Sequence, residues 1–228
     1  MSSLAITGAR GVIGQVLVSS LAEEAPRSLD LPEVDLRVPE AAAEGLSGCD
    51  QVVHLAWDTR AENVGKASFC ADNVQMTFNV VSACLQNGVT RLVFASSLHA
   101  QRYWPPQSAP MVLARGVLAG EAVRAAVPDG PYGASKLFGE ALCRWAATRG
   151  LECVCVRFGG VNREDSPPVD AVERRVWLSH RDCAGAAVRA LEAPLRDRFA
   201  TLTAVSDNEG RLHSLENSLG WSPIDGAR

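Results

Sequence analysis

Residues 7–14 read Thr-Gly-Ala-Arg-Gly-Val-Ile-Gly and follow a short apolar run that begins at residue 2. After the second glycine, apolar residues recur at helical spacing as far as Leu21. A strand, a glycine-rich turn and a helix are the context of a phosphate-binding motif, because glycine lets the backbone approach a pyrophosphate at the start of a helix. Glycines also form plain tight turns, but their position directly after the first strand favours nucleotide binding.

The rest of the chain alternates between strand-like apolar runs and helical patterns. Further strands are predicted at residues 27–29, 34–36, 50–56, 91–95, 151–158 and 199–205, and helices at residues 40–46, 67–86, 132–148, 181–192 and 208–219. This alternation predicts an α/β fold, a Rossmann-type doubly wound parallel sheet with helices on both faces. We expect residues 1–158 to form the NAD-binding core and residues 159–228 a small C-terminal substrate-binding part, packed on the core as a single structural unit.

The composition is that of an ordinary soluble globular protein. Of the 228 residues, 47% are hydrophobic and 21% are charged, and the net charge of -4 provides no basic excess for binding nucleic acid. We find no apolar run of membrane-spanning length and no signal peptide before the first strand, so we expect a cytoplasmic protein. Seven cysteines without C-x-x-C spacing indicate reduced thiols, neither disulfides nor metal ligands.

Asp30 follows the predicted strand at residues 27–29. A carboxylate at this place can accept hydrogen bonds from both ribose hydroxyls of an adenosine and repels a 2'-phosphate, so it favours NAD over NADP. The alternative is a turn carboxylate, because Asp30-Leu31-Pro32 also resembles a turn. Arg10, inside the glycine turn, could contact a phosphate or face solvent, and it is the feature that leaves NADP open.

The helix predicted at residues 132–148 begins with Tyr132-Gly-Ala-Ser-Lys136. Residues four apart share one face of a helix, so we expect the Tyr132 phenol and the Lys136 ammonium to lie side by side. A free phenol titrates near pH ~10, and a neighbouring cation favours the phenolate. Lys136 and a cationic nicotinamide ring could together make Tyr132 a catalytic base, although the same spacing also occurs on plain exposed helix faces.

Polar residues also occur at the predicted strand ends. Ser97 follows the strand at residues 91–95, where serines often cap a turn, but the Tyr132 and Lys136 pair downstream favours catalysis by Ser97. His99 could bind substrate or simply pack in its Tyr- and Trp-bearing loop. His54, within an apolar strand, is interpreted as a core residue.

The combined motifs resemble the extended short-chain dehydrogenase/reductase superfamily, also described as the NAD-dependent epimerase/dehydratase family. The motifs are the glycine turn, Asn73, Ser96-Ser97 and Tyr132-x-x-x-Lys136, in this order over nearly the whole chain. Within the superfamily the chain is most similar to uronate dehydrogenases, in the stretches 93–99, 128–140, 177–180 and 219–223. The resemblance implies oxidation of a free hexuronic acid to a lactone at its anomeric carbon, with hydride transfer to NAD.

The resemblance also implies roles for individual residues. Ser97 would bond the reacting oxygen, Tyr132 would be the base, and Lys136 would bind the nicotinamide ribose and tune Tyr132. The implied cofactor-binding residues are Gly8, Arg10, Gly11, Val12, Ile13, Gly14, Asp30, Asp35, Leu36, Leu55, Ala56, Asn73, Tyr132 and Lys136. The implied substrate-binding residues are Thr59, Ser97, His99, Tyr132, Gly160, Arg174 and Arg175, with an arginine taking the substrate carboxylate.

Two residues depart from the uronate dehydrogenase pattern. Leu98 replaces an asparagine beside the catalytic serine, and Gly160 replaces a serine that contacts substrate. The loss of hydrogen-bonding groups changes which substrate a site accepts, so the exact sugar is left open. We expect residues 98–130 and 160–180 to roof a pocket of monosaccharide size.

Other functions remain as alternatives. A nucleotide-sugar epimerase or dehydratase, or a biosynthetic ketoreductase, would belong to the same superfamily. A nucleotide-sensing module without turnover is a different class, and the intact Ser97, Tyr132 and Lys136 set argues against it. By analogy with relatives, we also expect a homodimer through the helices at residues 67–86 and 132–148.

Overall fold

The computed structural model describes residues 3–60, 69–101 and 127–228. In these ranges the chain forms one six-stranded sheet, and every strand pair is parallel. The strands are β1 (Leu4–Thr7), β2 (Arg27–Leu29), β3 (Gln51–His54), β4 (Arg91–Ser97), β5 (Glu152–Phe158) and β6 (Phe199–Ala204). The helices are α1 (Val12–Ser20), α2 (Pro39–Gly45), α3 (Ala71–Asn87), α4 (Pro131–Ala147), α5 (Ala171–Arg174) and α6 (His180–Glu192).

The strand order is β2-β1-β3-β4-β5-β6. The chain therefore moves to one side of β1 for β2 and returns to the other side for β3. Between β1 and β3 the connections diverge, and this opens a crevice at the carboxyl ends of the strands. β6 comes from the C-terminal part of the chain and pairs with β5, so residues after 158 complete the same sheet.

Alternate strand residues enter cores on opposite faces of the sheet, as the two-residue period of a strand requires. Ile6, Val53 and Val93 face one core, where α1 and α6 pack. Phe94 and Cys155 face the other core, where α2, α3 and α4 pack. The predicted doubly wound fold is confirmed.

All seven cysteines are free thiols, and six of them are buried.

Two predicted elements are wrong. Residues 34–36 were predicted as a strand but form turn and coil, because Asp35 accepts a hydrogen bond from the Arg37 backbone N–H and stabilises a turn. Residues 208–219 were predicted as a helix but are irregular. Asn208 there donates to the Trp177 carbonyl and accepts from the Ala227 backbone, so its side chain replaces helical bonding with long-range contacts.

The C-terminal tail is anchored at Asp182, a buried carboxylate in the first turn of α6. Its oxygens accept hydrogen bonds from the backbone of Ile224 at 2.7 Å and Asp225 at 3.1 Å, and from the Ser206 hydroxyl at 2.6 Å. These bonds satisfy a buried charge and hold the tail against the helix that covers the sheet.

Candidate active site

A cleft of about 870 Å³ follows the carboxyl ends of β1 to β5. This volume is near the upper end for ligand pockets, which run from about 300 to 1,000 Å³. Most of the predicted site residues border the cleft: Gly8, Arg10, Gly11, Val12, Ile13, Gly14, Asp30, Asp35, Leu36, Leu55, Ala56, Thr59, Ser97, His99, Tyr132, Lys136 and Gly160. The predicted roof is only partly described, because residues 102–126 lie outside the described ranges.

The glycine turn joins β1 to α1 at one wall of the cleft. Gly8 has a φ of +69°, and a Cβ atom there would lie 2.6 Å from the Ala56 nitrogen, so a side chain does not fit. A Cβ at Gly14 would lie 2.3 Å from the Gly8 oxygen, so glycine lets α1 pack directly on the turn. No side chain of the described residues caps α1, and its first N–H groups are therefore available to a pyrophosphate.

Asp30 lies where β2 ends. Its two carboxylate oxygens accept hydrogen bonds from Arg10 N at 2.8 Å and Leu31 N at 2.9 Å. Because each carboxylate oxygen can accept a second bond, Asp30 fits the hydroxyls of an adenosine ribose. The Arg10 guanidinium donates to the Leu31 carbonyl and, at 2.8 Å, to Glu33. Arg10 is thus already paired with an acidic residue.

Asp35 and Leu36 border the cleft beyond Asp30. The Arg37 guanidinium bonds both oxygens of Asp35, at 2.9 and 2.7 Å, and lowers the pKa of that carboxyl. Asn79 of α3 donates to the carbonyls of Leu36 and Arg37 at 2.9 and 3.0 Å. The segment is therefore held as a fixed turn at the border of the cleft.

Asn73 acts one layer behind the cleft. It is 1% exposed, and its side chain bonds both the backbone nitrogen and the carbonyl of Asp58, at 2.6 and 3.1 Å. The prediction of Asn73 as a cofactor contact is therefore corrected, because the side chain is used to fix residues 55–60 and does not border the cleft. Sequence reasoning missed Trp57, which this segment places in the cleft wall.

Ser97 and Tyr132 meet where β4 ends and α4 begins. The Ser97 hydroxyl is near enough to the Tyr132 phenol to affect its ionisation. Burial raises the pKa of Tyr132, and Asp129 adds to the rise, while Ser97 acts in the opposite direction. The phenol is therefore neutral in the free protein, so its use as a base depends on what binds beside it.

Lys136 lies beneath Tyr132 on the same face of α4. Its ammonium donates to the Ala95 carbonyl at 2.8 Å and lies 3.4 Å from the centre of the Trp57 ring, a cation–π contact. The centre of the Tyr132 ring is 5.9 Å away. Burial lowers the pKa of Lys136 well below its usual value, and the negative charge of Glu140 opposes this shift.

His99 borders the cleft beside Tyr132, with ring centres 5.3 Å apart in an edge-on arrangement. Its Nδ1 atom bonds the Asp129 carboxylate at 2.9 Å. This bond fixes the orientation of the imidazole at the cleft. No local pattern pairs His99 with Asp129, because residues 102–126 lie between them in the chain.

Arg174 and Arg175 do not reach the cleft. Arg174 donates to the carbonyls of Pro168 and Val169, at 3.1 and 3.2 Å, and Arg175 packs against Gly210. Their predicted placement at a substrate carboxylate is therefore corrected. The Arg174 guanidinium is held by carbonyls of its own segment, and the Arg175 side chain contacts a distant part of the chain. Local sequence indicates neither contact. Gly160 lies at the cleft, where its backbone pairs with Val176 and Leu178.

His54 is a buried core residue, as predicted, and its burial predicts how the stability of the fold depends on pH. Its Nδ1 atom shares a 2.7 Å hydrogen bond with the Thr7 hydroxyl, and burial lowers its pKa from 6.5 to about 3. The unfolded chain therefore binds a proton between these pH values and the folded protein does not. We expect stability to fall as pH drops from 6.5 to 3, by on the order of 5 kcal/mol at the acid end.

Urea unfolding measured at several pH values checks this expectation, with His54→Asn as the matched variant. The stability of the variant should depend less steeply on pH over this range, since the other carboxylates and histidines are the same in both proteins. Equal pH slopes in the two proteins would show that His54 is not the group responsible.

Comparison with known proteins decides the family. The family model described as the NAD dependent epimerase/dehydratase family matches residues 4–162. The chain belongs to this family. Of the curated relatives, the L-arabinose 1-dehydrogenase (NAD(P)(+)) of Haloferax volcanii is 33% identical over 99% of this chain and 97% of its own. The uronate dehydrogenase of Agrobacterium fabrum is 30% identical over 100% of this chain and 86% of its own.

The solved structures of relatives have the same fold as this chain. A mutant of the uronate dehydrogenase from Agrobacterium tumefaciens, complexed with NAD, superposes with a TM-score of 0.73 at 27% identity, and covers 100% of this chain and 86% of that one. The predicted fold, family and enzyme class, an NAD-dependent oxidoreductase, are confirmed. In the described ranges no helix is long and apolar enough to cross a bilayer, and no cluster of acidic, histidine or cysteine side chains could hold a metal ion.

Proposed function

We propose that this protein oxidises a small free sugar at its anomeric carbon, with Ser97, Tyr132 and Lys136 as the catalytic set. The observation that carries the proposal is the convergence of these three residues on a cleft whose other end is the glycine turn. Two distant parts of the chain, the end of β4 and the start of α4, supply them. A nicotinamide ring in this cleft would lie beside a phenol, a hydroxyl and a buried ammonium.

Each residue has a defined task. The Ser97 hydroxyl holds the reacting oxygen of the sugar and stabilises its developing charge. Tyr132 as phenolate takes the hydroxyl proton from that oxygen, and the Lys136 ammonium favours the phenolate by its positive charge. When bound, NAD would supply the acceptor for the hydride that leaves the anomeric carbon. The sugar thereby loses one hydride and one proton and becomes a lactone.

The class of sugar depends on whether a cation is placed to bind a substrate carboxylate. Arg174 is bonded to carbonyls of its own segment and the Arg175 side chain lies against Gly210, so neither is placed to form the bidentate pair that a uronate carboxylate prefers. Polar residues that border the cleft include Ser97, His99, Thr59 and the Asp58–Arg60 ion pair. We therefore propose a neutral aldose as the first candidate substrate and a hexuronic acid as the second.

A substrate panel tests the proposed function. Neutral pentoses and hexoses, hexuronic acids and nucleotide sugars are assayed side by side, and reduction of NAD is followed by absorbance. We expect turnover on free aldoses above that on uronic acids. Turnover confined to nucleotide sugars or bulky ketones would overturn the proposal and favour an epimerase, dehydratase or ketoreductase.

Cofactor choice gives a prediction at Asp30. Because the carboxylate accepts the ribose hydroxyls and repels a 2'-phosphate, NAD should bind more tightly than NADP. Asp30→Ser should weaken NAD binding and shrink the preference by about 10-fold, since a charged hydrogen bond contributes roughly 1.5 to 3 kcal/mol. Fluorescence titration with both reduced cofactors measures it.

The neighbouring Glu33 supplies the matched control for Asp30. It holds the Arg10 side chain but does not border the cleft. Glu33→Gln should leave NAD binding unchanged within about 2-fold while improving NADP binding, because Arg10 is then released toward a 2'-phosphate. Tighter binding of NADP than NAD by the unmodified protein would contradict the assignment of Asp30.

We also propose a homodimer and a cytoplasmic location. Phe138 and Trp145 are 41% and 42% exposed and lie two turns apart on α4, and Phe78 on α3 is 47% exposed. Adjacent exposed aromatic side chains support association through these helices. Light scattering should give twice the chain mass, and Trp145→Glu should give a monomer. The seven free thiols support a reducing compartment.

A further inference from the structure

A pair of opposite charges is buried behind the active site. Arg157, near the carboxyl end of β5, is 2% exposed, and it bonds both oxygens of Glu140 on α4 at 2.8 and 2.7 Å. Removing two charges from water is costly, and a buried pair often contributes little net stability compared with apolar residues of the same size. Stability alone therefore does not explain why this ion pair is buried here.

Further hydrogen bonds extend the pair across the sheet. Glu140 accepts from the Ser96 hydroxyl, and Arg157 donates to the Gln101 side chain at 2.6 Å. Gln101 in turn donates to Thr203 on β6 at 3.1 Å. The network thus joins β4, the short turn Leu98–Gln101, α4, β5 and β6 through side chains that are nearly all removed from solvent.

Members of this network are next to the predicted catalytic residues. Ser96 precedes Ser97, Glu140 lies one helical turn after Lys136, and Gln101 ends the turn that carries His99. We propose that Glu140 and Arg157 are positioning residues, whose ion pair fixes the ends of β4 and α4 so that Ser97, Tyr132 and Lys136 meet in one geometry. For its activity readout, this inference rests on the proposed function.

Glu140 also affects the charge of Lys136. The titratable groups that face the Lys136 ammonium are Tyr132 and Glu140 on its own helix and His54 on β3, while Arg157 faces Glu140 from β5. Burial lowers the pKa of Lys136, and Glu140 is the group that opposes this. Neutralising Glu140 should therefore make Lys136 lose its proton at lower pH.

The chain contains a matched control. Glu152, on the same strand as Arg157, pairs with the nearly buried Arg91 at the opposite edge of the sheet. Glu140→Gln and Glu152→Gln each leave a buried arginine without its carboxylate, so both should lower the melting temperature. If Glu140 positions the catalytic residues, Glu140→Gln should also lower kcat. If its role is only in stability, the two variants should behave alike.

The first readout is kinetic. Glu140→Gln should lower kcat on the order of 10- to 100-fold, because small displacements of catalytic groups have effects of this size, while binding of NADH changes less than about 3-fold. Arg157→Lys keeps the charge and should recover part of the rate that Arg157→Gln loses. Glu152→Gln should keep kcat within about 2-fold at temperatures where it is folded.

The second readout needs no turnover. The chain has two lysines, Lys66 and Lys136, so Lys66→Arg leaves Lys136 as the sole lysine, and NMR of isotopically labelled lysine follows its ionisation. The Lys136 midpoint should move to lower pH in Glu140→Gln and stay in place in Glu152→Gln.

An unmodified chain that oxidises no sugar would refute the proposed function alone. Glu140→Gln with unchanged kcat and Lys136 midpoint, or Glu152→Gln with an equal loss of kcat, would overturn this inference.

Discussion

Replacing Tyr132 with phenylalanine is expected to lower kcat for sugar oxidation by about 10² to 10⁴, the usual contribution of a general base. The phenol lies near Ser97 and the Lys136 ammonium, so phenylalanine removes the proton acceptor and little else. The aromatic contacts of the ring with Trp57 and His99 are kept.

Cofactor binding separates loss of chemistry from loss of structure in this variant. NADH titration of Tyr132→Phe should give a dissociation constant within about 3-fold of the unmodified protein, and the melting temperature should change little. Near full turnover of Tyr132→Phe on a sugar that the unmodified protein oxidises would refute Tyr132 as the base.

Ser97→Ala should lower kcat about 100-fold or more, because a hydrogen bond to the reacting oxygen is lost where charge develops. Ser97 also acts to lower the pKa of Tyr132, so removing the hydroxyl should raise the Tyr132 pKa. The remaining rate should therefore rise with pH over a range higher than in the unmodified protein. The pH profile of kcat for both proteins measures this shift.

Ser97→Thr provides the comparison, since it keeps a hydroxyl at the same atom. It should retain more activity than the alanine variant and should not move the pH profile. Equal losses in the two variants, or an unshifted profile in Ser97→Ala, would indicate that the side chain acts through packing alone.

The parts of the fold that follow from local patterns were predictable. The glycine turn is required by close backbone contacts at Gly8 and Gly14, and the buried strands are long apolar runs. Because carboxyl ends of parallel strands meet at one edge, residues from distant parts of the chain could be placed around one cleft from the sequence.

The failures come from contacts between distant residues. Residues 208–219 have helical spacing but satisfy their hydrogen bonds with Trp177 and Ala227, which no local pattern records. Arg174 and Arg175 were placed by resemblance in a segment whose own carbonyls hold Arg174 away from the cleft. Local sequence cannot predict which of several partners a long charged side chain will find.

One missed feature did have a signal in the sequence. Arg157 is a charged residue in the apolar run 151–158, and Glu140 is four residues after Lys136 on the same helix face. A charge within a buried strand requires a partner of opposite sign. Searching for that partner among the neighbouring helices would have indicated the ion pair, although not its bonds to Gln101 and Ser96.

We propose that Tyr132 becomes a base only when the cofactor lies beside it and Lys136. The chain has two tyrosines, so Tyr103→Phe leaves a single phenol whose ionisation is followed by ultraviolet difference absorbance. In the free protein the phenolate should form above the usual pH for tyrosine, because burial raises the pKa of Tyr132. Saturation with NAD should move the midpoint to lower pH, and Lys136→Met should reduce this movement. A Tyr132 midpoint that NAD leaves unchanged would show that the cofactor does not convert Tyr132 into a base.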